Sequence, residues 1–280
     1  MNRSIAGLLV GVVGAVLCGG IAAADPLEDC MRVTRTGNGP AGVRCLEPLA
    51  QAGDPQAELR LGEQYGVVNE STYDPAKSAI WLRKAAEQGQ IDAQVMLAYA
   101  YREGEGVPKD MVEAMRWYRT AADRGDQRAQ SDMGLMYFKG WGTPRDVGQA
   151  ISWWRKTADR GGPLASFAEG SIASIYLKGD GVPQDYAAAA HWFRKAAEHG
   201  DPSAYLSLAQ IDEKGLAGPA DPVEAYVGYS IALAWLHGSN GAGQVVDLIA
   251  KHRDDVAAKL TAEQIATANR LIRERRASIH

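Results

Sequence analysis

Small and apolar side chains recur at a fixed spacing through the middle of the chain. Five alanines mark the repeat at intervals of 36, 36, 39 and 36 residues: Ala57, Ala93, Ala129, Ala168 and Ala204. A bulky apolar residue lies four positions after each alanine, and a tyrosine lies eight positions after four of them. Side chains spaced 0, 4 and 8 share one face of an α-helix. The pattern therefore predicts one amphipathic first helix in each unit.

Glycine, proline and aspartate separate this first helix from a second one. A representative linker contains Gly104, Gly106, Pro108 and Asp110. The first glycine is placed to end a helix, the proline blocks its continuation, and the aspartate caps the next helix. Tryptophan recurs in the second helix of four units, and a further glycine ends it. Because two helices cannot bury their apolar face alone, the units are expected to stack into an all-α superhelix, an α-solenoid with a concave groove.

The alanine intervals also divide the chain into domains. They predict five units at residues 57–92, 93–128, 129–167, 168–203 and 204–240, with three extra residues near Gly162 to Phe167 in the third. Residues 25–56 are expected to form an N-terminal cap that includes a half repeat. Residues 241–280 follow another rhythm and are expected to form capping helices, one of them started by a capping box of Thr261 and Gln264.

The repeated pattern resembles the Sel-one-like repeat, a tetratricopeptide-related family common in bacterial envelopes. The resemblance covers roughly residues 46 to 238. Two units depart from it: the first has Val68, Asn69 and Glu70 instead of the linker glycines, and the fifth has Asp212 for tyrosine and Gly228 for tryptophan. Edge units of a repeat array often deviate because they cap the stack. The resemblance implies a non-catalytic adaptor, scaffold or regulator that binds another protein in its groove.

The first 24 residues have the pattern of a secretory signal peptide. Arg3 precedes an apolar stretch that ends at Leu17, and three alanines come before Asp25. We therefore expect a periplasmic or secreted bacterial protein that does not insert into the membrane after cleavage. Cys18 leaves an alternative open, a lipid-anchored outer-membrane scaffold of envelope secretion. Lipoprotein sites require a small residue before the cysteine, where this chain has Leu17.

Two cysteines, Cys30 and Cys45, remain after the signal peptide. An even number of cysteines in an exported chain favours a disulfide. Free thiols or a redox pair are the alternative, although the spacing is not that of a C-x-x-C motif.

Charge and motifs argue against several functions. The net charge of −4 becomes −5 without Arg3, which disfavours nucleic acid as a partner. The five histidines form no zinc motif, no G-x-S-x-G sequence is present, and the glycine linkers lack the preceding strand of a dinucleotide loop. We therefore expect no catalytic residue, metal or cofactor. The family resemblance leaves a cell-wall or β-lactam-like small-molecule binding protein or hydrolase as an alternative. The relatives linked to β-lactams have a cysteine pair in each repeat, whereas the full repeats here have none.

Candidate binding residues are those that vary between units. If the helices stack as in tetratricopeptide relatives, positions 2, 6 and 9 after each alanine face the groove, although some of these aliphatic residues would simply complete the core. The predicted groove has an apolar centre of Tyr99, Leu135, Phe138 and Leu177 and a charged rim of Arg102 and Glu63. It also includes the polar Gln210 in the last unit and the linker residue Trp141, whose ring is expected to be exposed. This surface suits an extended peptide or a helix. Family analogy suggests a membrane sensor kinase or an envelope complex as the partner.

Overall fold

Only α-helices and their connections occur in the parts of the chain that the computed structural model describes, residues 25–68, 70–238 and 243–277. The predicted signal peptide and Cys18 lie outside these ranges. In chain order the described helices are α1 (Pro26–Arg35), α2 (Gly39–Gln51), α3 (Pro55–Gly66), α4 (Pro75–Glu87), α5 (Ile91–Glu103), α6 (Met111–Asp123), α7 (Gln127–Lys139), α8 (Val147–Ala158), α9 (Pro163–Lys178), α10 (Tyr186–Glu198), α11 (Ser203–Lys214), α12 (Pro222–Gly238), α13 (Gly243–Ala257) and α14 (Ala262–Ala277).

The helix ends lie where the linker residues predict them. Gly104 ends α5 in the left-handed region, with φ of 83°, and its N–H donates to the carbonyl of Ala100. The Asp110 carboxylate accepts hydrogen bonds from the first-turn N–H groups of Val112 and Glu113. Equivalent glycines and aspartates act in the same way in the following units. Each linker therefore satisfies backbone groups that the helix termini would leave unpaired.

Successive helices pack side by side along the whole described array. The five repeat pairs are α3/α4, α5/α6, α7/α8, α9/α10 and α11/α12. The alanine that marks each repeat is fully or almost fully buried in every unit, so neighbouring helix axes approach closely at that point. Buried side chains form clusters that continue from one pair to the next. The fold is therefore the predicted all-α solenoid.

The three extra residues of the third unit lengthen a helix. α9 has 16 residues, whereas α5 and α7 have 13 each. Gly162 precedes α9 with φ of 81°, and Pro163 occupies the first helical position, where its fixed φ is favourable. The additional turn carries Leu164, which lines the same cavity as residues of α5 and α7.

The second glycine of each linker permits a close contact with the preceding repeat. Gly106 has φ of 71°, and a Cβ added there would lie 1.8 Å from the carbonyl oxygen of Pro75, at the start of α4. Glu70 occupies the corresponding position in the first linker, 36 residues earlier. There the residue at the helix start is Gly39, and a Cβ added to it would lie 2.4 Å from Glu70 Oε2. In the first unit the glycine therefore lies at the start of the preceding helix instead of in the linker, and the close contact is kept.

Both ends of the array are covered by additional helices. The disulfide between Cys30 and Cys45 joins α1 to α2, as the cysteine count predicts. At the other end, α13 and α14 pack against α12. The capping box before α14 is present: the Thr261 N–H donates to Gln264 Oε1 at 2.9 Å and the Gln264 N–H to Thr261 Oγ1 at 3.2 Å. No helix in the described ranges has both the length and the apolar character needed to cross a bilayer.

Candidate partner-binding groove

A large cavity opens between the first helices of neighbouring repeats. It has a volume of about 670 Å³, within the range of ligand sites. Val95, Met96 and Tyr99 of α5 form one wall, and Leu164 and Phe167 of α9 contribute apolar side chains from the other direction. Tyr99 is 43% exposed and Phe167 is 51% exposed. Large apolar side chains with this exposure are characteristic of binding surfaces when they lie around a concave site.

A second cavity, of about 450 Å³, continues along the same row of helices. Leu135 and Phe138 of α7 line it, together with Ser171 and Ser174 of α9. Phe167 lines both cavities and therefore stands between them. We call the two cavities and Phe167 the binding groove. Its walls come from rigid helices, so a partner would meet a largely preformed surface.

A partly buried ion pair supports the floor of the first cavity. The Arg102 guanidinium donates to Asp132 Oδ1 at 2.7 Å and lies 5.0 Å from the ring centroid of Tyr99. Burial raises the pKa of the Asp132 carboxyl, against the opposing attraction of Arg102. The Tyr118 ring packs 5.9 Å from the same guanidinium, and burial raises the pKa of its hydroxyl. These contacts connect α5, α6 and α7 and fix the orientation of the Tyr99 ring.

Four of the predicted groove residues contribute to this site. Tyr99 lines the first cavity, and Arg102 packs beneath its ring rather than forming a rim. Leu135 and Phe138 line the second cavity. Phe138 is also held from behind, since its ring centroid lies 5.7 Å from that of Trp154.

The other four predicted residues lie outside both cavities. Leu177 packs against the core cluster around α10 and α12. Trp141 is half-buried against the core of the second and third repeats, so the expectation of an exposed linker ring is corrected. Glu63 pairs with Arg60 at 2.8 Å, and Gln210 is exposed on α11. The binding groove is therefore narrower than the sequence predicted and centred on α5, α7 and α9.

Sequence reasoning missed two kinds of groove residue. Leu164 belongs to the extra turn of α9, for which the irregular repeat interval was the available signal, and Phe167 lies one position before Ala168. Met96 and Asp132 lie three positions after their alanines, a position that also varies from unit to unit. Variation at this third position would have been sufficient to include them.

The geometry defines a class of protein, a helical repeat array with a concave recognition surface. The family model described as "Sel1 repeat" matches residues 55–90, 91–126, 127–162 and 168–201. These matches cover half of the chain, and the chain belongs to the Sel1 repeat family. The fifth predicted unit is outside the matched stretches, although α11 and α12 pack as a pair. No curated protein matches the chain closely enough to count as a relative.

Two solved structures share the fold over most of the chain. One is a protective antigen of uropathogenic Escherichia coli with an SLR fold, at 27% identity and a TM-score of 0.65 over 90% of this chain. The chain spans 62% of the length of that antigen. The other is a Sel1 repeat protein from Oxalobacter formigenes, at 25% identity and a TM-score of 0.65, with 89% of this chain and 99% of the other covered. Sel1 repeat proteins generally mediate protein–protein interactions and are typically non-catalytic scaffolds.

Proposed function

We propose that this protein is a periplasmic interaction module that binds a protein partner in the groove, without catalysis. The exposed rings of Tyr99 and Phe167 beside preformed cavities are the observation that carries the proposal. Large apolar side chains of the partner enter the two cavities, and Phe167 separates them. A membrane sensor kinase or an envelope complex is the partner class that family analogy suggests.

Location outside the cytoplasm is part of the same proposal. The Cys30–Cys45 disulfide is compatible with an oxidising compartment, where such bonds persist. The signal pattern of residues 1–24 supports export on sequence grounds alone. Mass spectrometry of the mature protein tests this part, since a chain that begins at Asp25 excludes lipidation at Cys18.

Capture of the partner from crosslinked periplasm tests the binding groove. The baits are the wild-type protein, a Tyr99→Ala/Phe167→Ala variant and a Val112→Ala control. Val112 is 63% exposed on α6 and lines neither cavity, so its removal changes exposed apolar area without changing the groove. Circular dichroism establishes that all three proteins are folded.

Each outcome of the capture experiment is decisive for the proposal. A protein retained by the wild type and by Val112→Ala, but lost from the double variant, supports binding in the groove. Equal capture by all three baits places the partner elsewhere on the molecule. Absence of any specific protein contradicts the proposed function.

A further inference from the structure

The two cavities of the binding groove differ in the charges that line them. In the first cavity, Arg128 pairs with two aspartates and Asp132 pairs with Arg102, so these lining charges are compensated. Glu105, on the linker after α5, also lines this cavity. It is exposed and forms no ion pair within the described part of the chain. The first cavity is therefore mainly apolar, with one negative charge at its edge.

Two lysines line the second cavity. Lys139 is the last residue of α7, and Lys178 is the last residue of α9. Short connections make successive helices antiparallel, so α7 and α9 run in the same direction and both lysines lie at the same end of the cavity. Both are exposed, and neither forms an ion pair with a described residue. The Lys139 ammonium lies 5.5 Å from the ring centroid of Phe138, the aromatic residue of the cavity wall.

The acidic residues of the second cavity do not neutralise this end. Asp180 pairs with Arg145 at 2.5 Å. Asp201 lies farther away: a Cβ added to Gly170 would be 3.4 Å from Asp201 Oδ2. Gly170 precedes Lys178 by eight residues, which is about 12 Å along α9. Since that separation is comparable to the screening length in salt solution, the lysine end keeps a net positive charge.

A lysine in the last turn of a helix also stabilises the helix dipole, and this role alone would explain one such residue. The second cavity adds a concave space between the two lysines and hydrogen-bonding groups inside it. Ser174 of α9 and Ser207 of α11 are half-buried in its lining. A hydroxyl group can donate a hydrogen bond to a carboxylate. The cavity therefore offers two cations and two hydroxyl donors to a ligand.

We infer that the partner segment in the groove places an aspartate or glutamate side chain between Lys139 and Lys178, next to a large apolar side chain in the first cavity. The inference rests on the proposed function, because it describes the partner of the same groove. The reverse placement is unfavourable, since Glu105 repels an acidic group and the lysines repel a basic one. Charge thereby fixes the direction in which the segment crosses Phe167.

Selection of short random peptides displayed on phage tests the inference with the purified protein. Peptides bound by the wild type and lost from the Tyr99→Ala/Phe167→Ala variant are groove ligands. We expect these peptides to combine a large apolar residue with aspartate or glutamate at one fixed spacing. Replacing the acidic residue of a selected peptide by its amide should weaken binding, measured by fluorescence anisotropy.

Variants of the lysines identify the site. Lys139→Gln/Lys178→Gln should lower the affinity for a groove peptide by about fivefold at low ionic strength and by less in high salt, because exposed ion pairs are weak and screened. Lys139→Glu/Lys178→Glu should prefer the same peptide with lysine in place of its acidic residue. Lys251→Gln/Lys259→Gln is the matched control, since it removes two exposed lysines that line neither cavity. Circular dichroism establishes that each variant is folded.

The outcomes separate this inference from the proposed function. Weaker binding by the glutamine variant, normal binding by the control and reversed charge preference in the glutamate variant together support the inference. Groove peptides without an acidic residue, or with equal affinity for Lys139→Gln/Lys178→Gln, overturn it and leave binding in the groove intact. Selection of no groove peptide overturns it as well, and the capture experiment then decides the proposed function independently.

Discussion

The contact between each linker and the preceding repeat is open to a quantitative test with Gly106→Ala. Gly106 has φ of 71°, and the new Cβ would lie 1.8 Å from the Pro75 carbonyl oxygen. An L-residue in the left-handed region costs about 1–2 kcal/mol. Overpacking against a well-packed neighbour adds about 1–3 kcal/mol. We therefore expect the free energy of unfolding to fall by about 2–5 kcal/mol.

Gly53→Ala separates the two contributions. Gly53 has φ of 87°, but no atom lies within 4 Å of a Cβ placed there. This control has the backbone strain without the collision, so we expect it to lose only about 1–2 kcal/mol.

Urea denaturation followed by circular dichroism and by tryptophan fluorescence measures both variants. Two probes are needed because repeat arrays do not always unfold in one step. The expected result is a clearly larger loss for Gly106→Ala than for Gly53→Ala. Equal losses would refute the reasoning, because the close approach to α4 would then contribute nothing to stability.

Three further predictions concern single groups. Asp212→Asn should stabilise the protein at pH 7.5 by about 1–2 kcal/mol once solvent screening is allowed for, and leave it unchanged near pH 4. The reason is that burial raises the pKa of the Asp212 carboxyl from 3.8 to about 6, so the carboxyl loses its favourable protonated form as pH rises through that value. Urea titrations across pH 4–8 measure the free energies of unfolding of the two proteins. Values that do not converge at low pH would contradict the prediction. Reduction of the disulfide, which closes a span of 15 residues, should cost about 3 kcal/mol, measured as the shift in urea midpoint with and without reductant; an unchanged midpoint argues against the bond. His199→Ala should cost about 1–3 kcal/mol, because the Glu169 carboxylate, 1% exposed, hydrogen-bonds His199 Nδ1 at 2.8 Å; thermal melts that match the wild type would show that the contact is unimportant.

Much of the fold follows from local residue chemistry. Gly104 ends one helix and Asp110 starts the next, and the equivalent residues of neighbouring units do the same. Ala93 and the equivalent alanines permit close helix packing because their side chains are small. The repeat therefore shows in the sequence because the same physical requirement is met five times. The disulfide and the capping box of Thr261 were predictable on equally local grounds.

The groove was less predictable because it depends on how each helix is rotated about its axis. Positions 2, 6 and 9 were expected to face the groove, whereas positions 2, 3 and 6 line the two cavities most consistently. On a helix with 100° per residue the two sets differ in mean direction by roughly 40°. Periodicity identifies the buried face but not this rotation, which is why Leu177 was included and Asp132 was omitted.

The conformation of the insertion also could not be deduced from its length. Three extra residues near Gly162 suit a longer loop as well as a longer helix. The structure has the helix, because Gly162 adopts a positive φ and Pro163 begins α9 a full turn early. The extra turn is what adds Leu164 to the lining of the first cavity.

The first linker meets the preceding helix differently from the second: Glu70 lies against Gly39, whereas Gly106 lies against Pro75. This difference gives the repeats of the solenoid a fixed order. Each interface is a matched pair, and the two halves of the first pair do not fit the halves of the second. A first repeat transplanted into the middle of the array would press the Glu70 side chain against Met111 or Val147 at the start of the preceding second helix, and a middle repeat moved to the front would leave a hole beside Gly39. Duplication or shuffling of repeats in this chain is therefore restricted to the interior units, and engineered arrays lengthened from it should copy the second or third repeat rather than the first.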